Sequence, residues 1–179
     1  MQHPRLNFPL DALEWKEGML LAPQHFQQET LRTAMLTAYH AQLASPFHWG
    51  VVSLEIDEHR LASGIFRVAS VEGLMPDGLP FRHDPSVSEL TVDLKPHAQA
   101  LTNTPTAIYL SVTRFVEGRP LAGQDGSRFG LYEQPSVRDL VSSGVDVGLV
   151  RLRPGLVLHI GEAPESYVAI PIAKVEVRN

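Results

Sequence analysis

The sequence of 179 residues contains no cysteine. Disulfide bonds, zinc ribbons, iron–sulfur sites and a thiol nucleophile are therefore excluded together. Long hydrophobic runs are also missing, and no apolar stretch approaches the roughly 20 residues that a membrane-spanning helix needs. Residues 1–9 lack a cationic segment followed by an apolar one, so we expect no secretory signal, no membrane insertion and a cytoplasmic location.

Positive charge is scarce. Fifteen Lys and Arg residues stand against twenty Asp and Glu residues, and the net charge is -5. Binding to nucleic acid through phosphate neutralisation needs the opposite balance, so we expect no nucleic-acid partner. With 44% hydrophobic and 20% charged residues, the chain has the composition and the length of a single globular domain that can bury its own core.

Motifs for catalysis and for metal binding are missing as well. The eight histidines are scattered without metal-ligand spacing, and their closest grouping is His83-Asp84 with His97. There is no phosphate-binding glycine loop and no Gly-x-Ser-x-Gly elbow. Ser127 lies in a glycine-rich segment that we interpret as a hairpin loop. We therefore expect no catalytic residue, no metal site and no cofactor; these absences disfavour the alternative of a hydrolase that uses Ser127 or scattered carboxylates.

One long helix is predicted at residues 23–44. Pro23 suits the first turn of a helix, because its missing N–H would be unpaired there in any case. Apolar and small residues recur at three- and four-residue spacing from Leu31 to Gln42, which indicates an amphipathic helix. Pro46 disfavours helical backbone at Ser45 and ends the helix. Residues 1–22 precede it as an extended arm, with one short strand expected around Leu10 to Trp15.

After Pro46 the pattern becomes alternating. Val52, Leu54 and Ile56 are predicted to share one face of a strand, and Pro76-Asp77-Gly78 has the residue order of a tight turn. About seven to nine short strands follow one another without helices between them, which is typical of an antiparallel sandwich. The fold class is therefore mainly β: an antiparallel β-sandwich with one leading helix, occupying residues 23–179.

Aromatic and amide side chains are concentrated between Trp15 and Gln28. Two interpretations stay open. Trp15 and Phe26 could pack together and pin the arm against the helix, while Gln24 and His25 hydrogen-bond the unpaired amides at the helix N-terminus. Alternatively, the same side chains form an interaction surface, because aromatics serve cores and interfaces equally well. For Trp49, in Phe47-His48-Trp49-Gly50, we expect a place in the core.

The residues of this region resemble a known family. Trp15-x-Glu17-Gly18-x-x-Leu21-x-Pro23-Gln24-His25-Phe26-Gln27-Gln28, then Trp49-Gly50-x-x-x-Leu54, then Leu74-Met75-Pro76-Asp77-Gly78, are similar to the N-terminal region of the TssK family, also called ImpJ or VasE. Its members are trimeric baseplate subunits of bacterial type VI secretion systems. The later segments Phe129-Gly130-Leu131-Tyr132 and Tyr167-Val168-Ala169-Ile170-Pro171 agree more loosely, so the resemblance extends over essentially the whole chain.

The resemblance implies a fold and a set of partners. It implies a β-sandwich "shoulder" similar to that of siphophage receptor-binding proteins, while the helical neck and the head of the family lie outside this chain. It also implies docking onto the wedge proteins TssF and TssG and association with other TssK protomers in a homotrimer. The membrane complex of TssJ, TssL and TssM would be reached only through regions absent here. The implied location is the baseplate on the cytoplasmic face of the inner membrane.

The resemblance also implies which residues to test for wedge binding or for packing on a neighbouring protomer. They are the positions that match the motif, namely Trp15, Glu17, Gly18, Pro23, Gln24, His25, Phe26 and Gln27. The function it implies is a structural adaptor without catalysis. The alternative is a carbohydrate- or receptor-binding sandwich of phage-tail type, which rests on fold analogy alone and would use exposed aromatics such as Trp49 or Tyr109.

Overall fold

The computed structural model describes residues 8–86, 88–142 and 144–177. Within these residues, one long helix precedes nine strands and three short helical turns. The helices are α1 (Pro23–Ala44), α2 (Glu58–Leu61), a 3-10 turn (Lys95–His97) and α3 (Ala98–Leu101). The strands are β1 (Gly50–Ile56), β2 (Ile65–Leu74), β3 (Pro80–His83), β4 (Leu90–Asp93), β5 (Thr106–Thr113), β6 (Phe129–Val137), β7 (Val147–Pro154), β8 (Leu156–Ile160) and β9 (Tyr167–Val175).

Two antiparallel sheets form the sandwich. In the first, β2 pairs with β1 along one edge and with β4 and then β3 along the other. In the second, β5 lies between β8 and β9. The residues that face one another between these sheets form a single core; the most deeply buried are Phe66, Val68, Val71, Met75, Leu101, Ile108, Leu110, Val112 and Ile170. A third, two-stranded sheet, the β6–β7 hairpin, stands apart from this core.

A β-bulge explains why β2 is apolar on both faces in the sequence. Glu55 of β1 pairs with Ser70, whereas the next residue, Ile56, pairs with Val68, so Ala69 is an extra residue. An extra residue exchanges the two faces of the strand that follows it. Phe66 and Val68 are therefore buried on one side of the bulge, and Val71 is buried on the other side in the opposite alternation.

The predicted helix and fold class are confirmed. Helix α1 has the predicted bounds, and the strands form an antiparallel sandwich behind it. The turn after β2 is also confirmed: the Gly78 N–H donates to the Met75 carbonyl at 2.8 Å, and Gly78 has φ +83°. The Leu79 N–H donates to Oδ1 of Asp77 at 3.3 Å, which is the Asx contact expected of this turn.

Four sequence-based expectations are wrong. Residues 10–15 form no strand. Val52 does not share the face of Leu54, because it is bulged out of the β1–β2 ladder and 78% exposed. The strands are not free of helices, since single turns follow β1 and β4. Trp49 does not belong to the core, since 39% of its surface is exposed.

Candidate partner-binding surface

A tight turn begins the segment that carries the sequence motif. The Met19 N–H donates to the Lys16 carbonyl at 3.2 Å, and Gly18 adopts φ +74° at the third position of the turn. A type II turn requires this positive φ, which glycine adopts without steric cost. A Cβ atom at Gly18 would meet no other atom within 4 Å. The turn therefore needs glycine for its backbone conformation and not for space.

The N-terminus of α1 is organised by two further motif residues. Pro23 occupies the first turn, and Ala22 is the N-cap with extended backbone. The Ala22 N–H donates to Nδ1 of His25 at 3.0 Å. A side chain at the third helical position that accepts from the N-cap amide is half of a capping box. The other half is not formed, because alanine has no side-chain oxygen. The predicted contact of His25 with a helix-terminal amide is thus present.

The large side chains around this turn and helix start are exposed. Trp15 is 51% exposed and Phe26 is 57% exposed, and Leu20 and Leu21 are exposed as well. The ring that faces Trp15 is His25, at a centroid distance of 6.0 Å. We call the four residues Trp15, Leu20, Leu21 and Phe26 the amino-terminal surface. Core packing does not leave half of an indole and half of a phenyl ring in solvent.

The remaining motif residues surround this surface. Glu17 and Gly18 are the central residues of the exposed turn, and the side chains of Pro23, Gln24 and Gln27 are exposed. His25 is half-buried between Trp15 and the helix backbone. The structure thus places the eight motif residues in the segment that leads into α1 and in the first turns of α1, where Gly18, Pro23 and His25 shape the local backbone. Whether the eight residues bind a partner stays a prediction.

Helix α1 rests on the turn after β2. Nε2 of Gln42 donates to the Pro76 carbonyl at 3.3 Å, and Nε2 of His48 lies 3.2 Å from the same oxygen. No residue of α1 is buried. The helix therefore lies on the surface of the sandwich, and its contacts with the turn after β2 come from the C-terminal half of the helix. The arm contacts this helix through Phe8, whose ring meets Tyr39 edge-on at 5.7 Å.

An ion pair that the sequence did not predict supports the turn on which α1 rests. Nη2 of Arg128 donates to Oδ2 of Asp77 at 2.7 Å, and Nη1 of Arg128 donates to the Thr113 carbonyl at 2.8 Å. Both charged side chains are almost fully buried. The pair joins the turn under α1 to β5 and to the start of β6. Fifty-one residues separate its two partners, and no local pattern marks a contact of that range.

In the part of the chain that the structure describes, no group of three or more potential metal ligands occurs. Burial lowers the pKa of His83, and burial also lowers the pKa of His159. The Gln124 N–H donates to the hydroxyl of Ser127 at 3.2 Å, so this serine closes a turn of the loop.

Three clefts in the described part of the chain bear on ligand binding. The cleft beneath α1 has a volume of about 110 Å³, which is below the few hundred Å³ typical of small-molecule sites. A cleft of about 340 Å³ lies between the β3–β4 connection and the base of the hairpin, and another lies beside α3. Neither Trp49 nor Tyr109 lines any of the three. Within the described residues, no helix has the length and apolarity needed to cross a membrane.

Comparison with known proteins gives consistent matches. The model of the bacterial type VI secretion family named for EvfL, ImpJ and VasE matches residues 25–179. A curated relative, the type VI secretion system baseplate component TssK1 of Pseudomonas aeruginosa, is 35% identical over 82 residues, which are 44% of this chain and 18% of the relative.

Solved structures show the same fold. A crystal structure of TssK superposes with a TM-score of 0.82 and 26% identity over 93% of this chain and 38% of the TssK chain. A cryo-electron microscopy structure of a TssK–TssF–TssG baseplate subcomplex gives a TM-score of 0.74 over 95% of this chain and 56% of the chain matched. Its 20% identity supports the fold alone. The chain spans well under two thirds of the length of these relatives.

Proposed function

The chain belongs to the bacterial type VI secretion family named for EvfL, ImpJ and VasE, and we propose that it is a structural adaptor that docks a TssK-type subunit onto a TssF–TssG wedge of the secretion baseplate. The observation that carries the proposal is the amino-terminal surface. The four apolar side chains of this surface are exposed just before α1 and in its first turn. No residue of α1 itself is buried. Aromatic side chains exposed together on one surface are typical of protein interfaces.

The comparisons support the identity of the partners. One similar structure is a TssK–TssF–TssG subcomplex, and another is a type VI baseplate complex with a TM-score of 0.72. We infer that residues 23–179 act as one shoulder-like unit with residues 1–22 as its arm. Further TssK-type protomers and the membrane complex would then be reached by the longer proteins of the family. The expected location is the baseplate on the cytoplasmic face of the inner membrane.

Binding to the immobilised TssF–TssG complex tests the proposal. Trp15→Ala and Phe26→Ala are each expected to weaken binding by about 2 kcal/mol, which is about 30-fold in Kd, because buried aromatic anchors dominate interface energies. Both rings are half exposed in the free chain, so the circular dichroism spectrum and the thermal midpoint should stay unchanged.

Phe47→Ala is the matched control, because Phe47 is an exposed phenylalanine at the opposite end of α1. It should bind as the unaltered chain does. The proposal fails if the unaltered chain does not bind the TssF–TssG complex, or if both amino-terminal variants bind it with unchanged affinity.

A further inference from the structure

The β6–β7 hairpin carries two arginines and a tyrosine on one side. Residues that pair directly across an antiparallel ladder point to the same side of it. Gly130 pairs with Arg153, and two residues further along the ladder Tyr132 pairs with Arg151. The side chains of Tyr132, Arg151 and Arg153 therefore lie on the same side of the hairpin, which we call its polar face.

Both arginines of the polar face are held by neutral partners. The guanidinium of Arg153 lies over the ring of Tyr132 at 3.6 Å from its centroid, which is a close cation–π contact. Nε of Arg151 donates to Oε1 of Gln134 at 2.6 Å. Among the described residues, neither guanidinium is in an ion pair with a carboxylate. Their positive charge is thus uncompensated, although acidic residues outnumber basic ones in the chain.

The polar face borders the cleft between the hairpin base and the β3–β4 connection. Tyr132 and Arg153 line this cleft from the hairpin, and Arg82 lines it from β3. The volume of the cleft is about 340 Å³, which falls within the few hundred Å³ typical of small-molecule sites. One wall of a cleft with room for a small ligand is therefore formed by the polar face.

Two carboxylates also line the cleft, and each has a cationic neighbour of its own. Oδ1 of Asp84 accepts from the Ser86 N–H at 2.9 Å. That hydrogen bond lowers the pKa of Asp84, and the positive charge of Arg82 lowers it further. Oε1 of Glu89 lies 3.9 Å from Nη2 of Arg60. Since these two acids are offset by Arg82 and Arg60, the excess charge beside the cleft is the positive charge of the polar face.

A buried imidazole without a hydrogen-bond partner lines the same cleft. His83, the last residue of β3, is 7% exposed. Its Nε2 has no hydrogen-bond partner among the described residues. Buried polar atoms are nearly always hydrogen-bonded, and an exception marks a place where a water, an ion or a ligand supplies the missing partner. This observation is independent of the two arginines, and it concerns the same cleft.

We propose that the cleft between the polar face and the β3–β4 connection binds a small ligand through a carboxylate or phosphate group. Arg153 is the residue that binds the oxyanion, and the imidazole of His83 contributes a further hydrogen bond. The site lies apart from the amino-terminal surface, and the proposal goes beyond the adaptor function and does not depend on it.

The chemistry of the polar face selects an oxyanion. A guanidinium offers two parallel N–H donors that match two oxygens of a carboxylate or a phosphate. The ring of Tyr132 already holds the guanidinium of Arg153 beside the cleft, so little side-chain entropy is lost when an anion binds. Arg151 adds a second positive charge on the same face. A cationic ligand would meet two uncompensated positive charges there, which restricts the class of ligand to anions.

Titration with two small anions tests the proposal. The isotope-labelled chain is titrated with inorganic phosphate and, separately, with citrate, while chloride keeps the ionic strength constant so that general screening does not change. Saturable changes are expected in the NMR signals of the Arg153 guanidinium and of the His83 imidazole nitrogens. The anion that saturates at the lower concentration shows whether the cleft prefers a phosphate or a carboxylate.

Arg153→Met removes the guanidinium and keeps an unbranched side chain to cover Tyr132. It should weaken binding of the preferred anion by about tenfold or more, because a charge-assisted hydrogen bond is lost. Arg138→Met is the matched control, since it changes the net charge equally at an exposed arginine near the end of β6. The control should bind the anion as the unaltered chain does, and circular dichroism checks that both variants are folded.

Three results would overturn the proposal. They are the lack of a saturable response to both anions, responses that leave out Arg153 and His83, and a control that weakens binding as much as Arg153→Met does. If Arg153→Met does not fold, Arg151→Gln replaces it, because Arg151 is exposed. Binding should then weaken through the loss of the second positive charge, and an unchanged affinity in that variant contradicts the proposal.

Discussion

Gly78 and Ala38 touch so closely that a Cβ atom at position 78 would lie 2.3 Å from the Cβ atom of Ala38. The turn after β2 therefore serves as the seat of α1, and its glycine has two tasks. It supplies a φ of +83°, and it leaves room for the helix backbone. Because α1 rests on this turn, the contact helps to set the position of the helix on the sandwich.

Gly78→Ala should loosen α1 and lower the free energy of unfolding by about 2–3 kcal/mol. The change combines left-handed strain with a clash that only movement of the helix can relieve. Hydrogen exchange in α1 and urea denaturation measure the two effects. Gly118→Ala is the control, since Gly118 has φ +79° and a Cβ atom there would meet nothing within 4 Å. If Gly78→Ala and Gly118→Ala have equal effects, the turn after β2 does not support α1 in the way described.

Asp77→Asn should destabilise the chain by about 3 kcal/mol, because it leaves the buried guanidinium of Arg128 without its opposite charge. An asparagine oxygen can still accept the Leu79 N–H. The substitution therefore removes the negative charge while it keeps the hydrogen bond of the turn. Urea denaturation at neutral pH provides the measurement. Asp77→Asn combined with Arg128→Met should recover part of the loss.

Asp125→Asn is the control for this change, since Asp125 is an exposed acid in the loop before Arg128. If Asp77→Asn costs no more than Asp125→Asn, the ion pair does not hold the turn to the sandwich.

His25→Ala should increase fraying of the first turn of α1 by about 1 kcal/mol, because the Ala22 N–H loses its acceptor. Amide exchange of residues 22–26 should accelerate, while the global midpoint of unfolding stays nearly constant. Gln24→Ala changes the neighbouring exposed side chain and serves for comparison. Unchanged exchange in His25→Ala would show that the imidazole is not needed as a cap.

The chain should lose stability as the pH falls below about 6.5. Burial lowers the pKa of His83 from its ordinary value of 6.5; Asp84 opposes this shift and Arg67 adds to it. The folded state thus keeps His83 neutral in a range where the unfolded state binds a proton, so stability is present above 6.5 and lost on acidification. The pKa of His159 is lowered by burial too, and it adds to the same trend.

Thermal unfolding between pH 7.5 and pH 5.5 checks this dependence. His83→Gln should flatten the pH profile, whereas His59→Gln, at an exposed position of α2, should leave it as it is. A profile that is equally steep in His83→Gln and in the unaltered chain would be evidence against the role of His83.

Much of the fold and part of the candidate surface could be predicted because they depend on local rules. Pro23 and Pro46 set the ends of α1, and the order Pro76-Asp77-Gly78 specifies the tight turn after β2. The same rules placed the amide contact of His25 at the helix start. They were wrong at Val52, because a bulge depends on the pairing partner and leaves no mark in the alternation of one strand.

The sequence by itself determined the helix, the turn and the alternation of most strands, since these follow from backbone preferences within a few residues. Only the tertiary structure decided which apolar side chains are buried. Leu110 and Leu131 are both strand leucines, yet Leu110 lies between two sheets and Leu131 lies on a hairpin that no other described sheet covers. Burial depends on contacts between distant segments, as does the Asp77–Arg128 pair, and such contacts form only when the whole chain has folded.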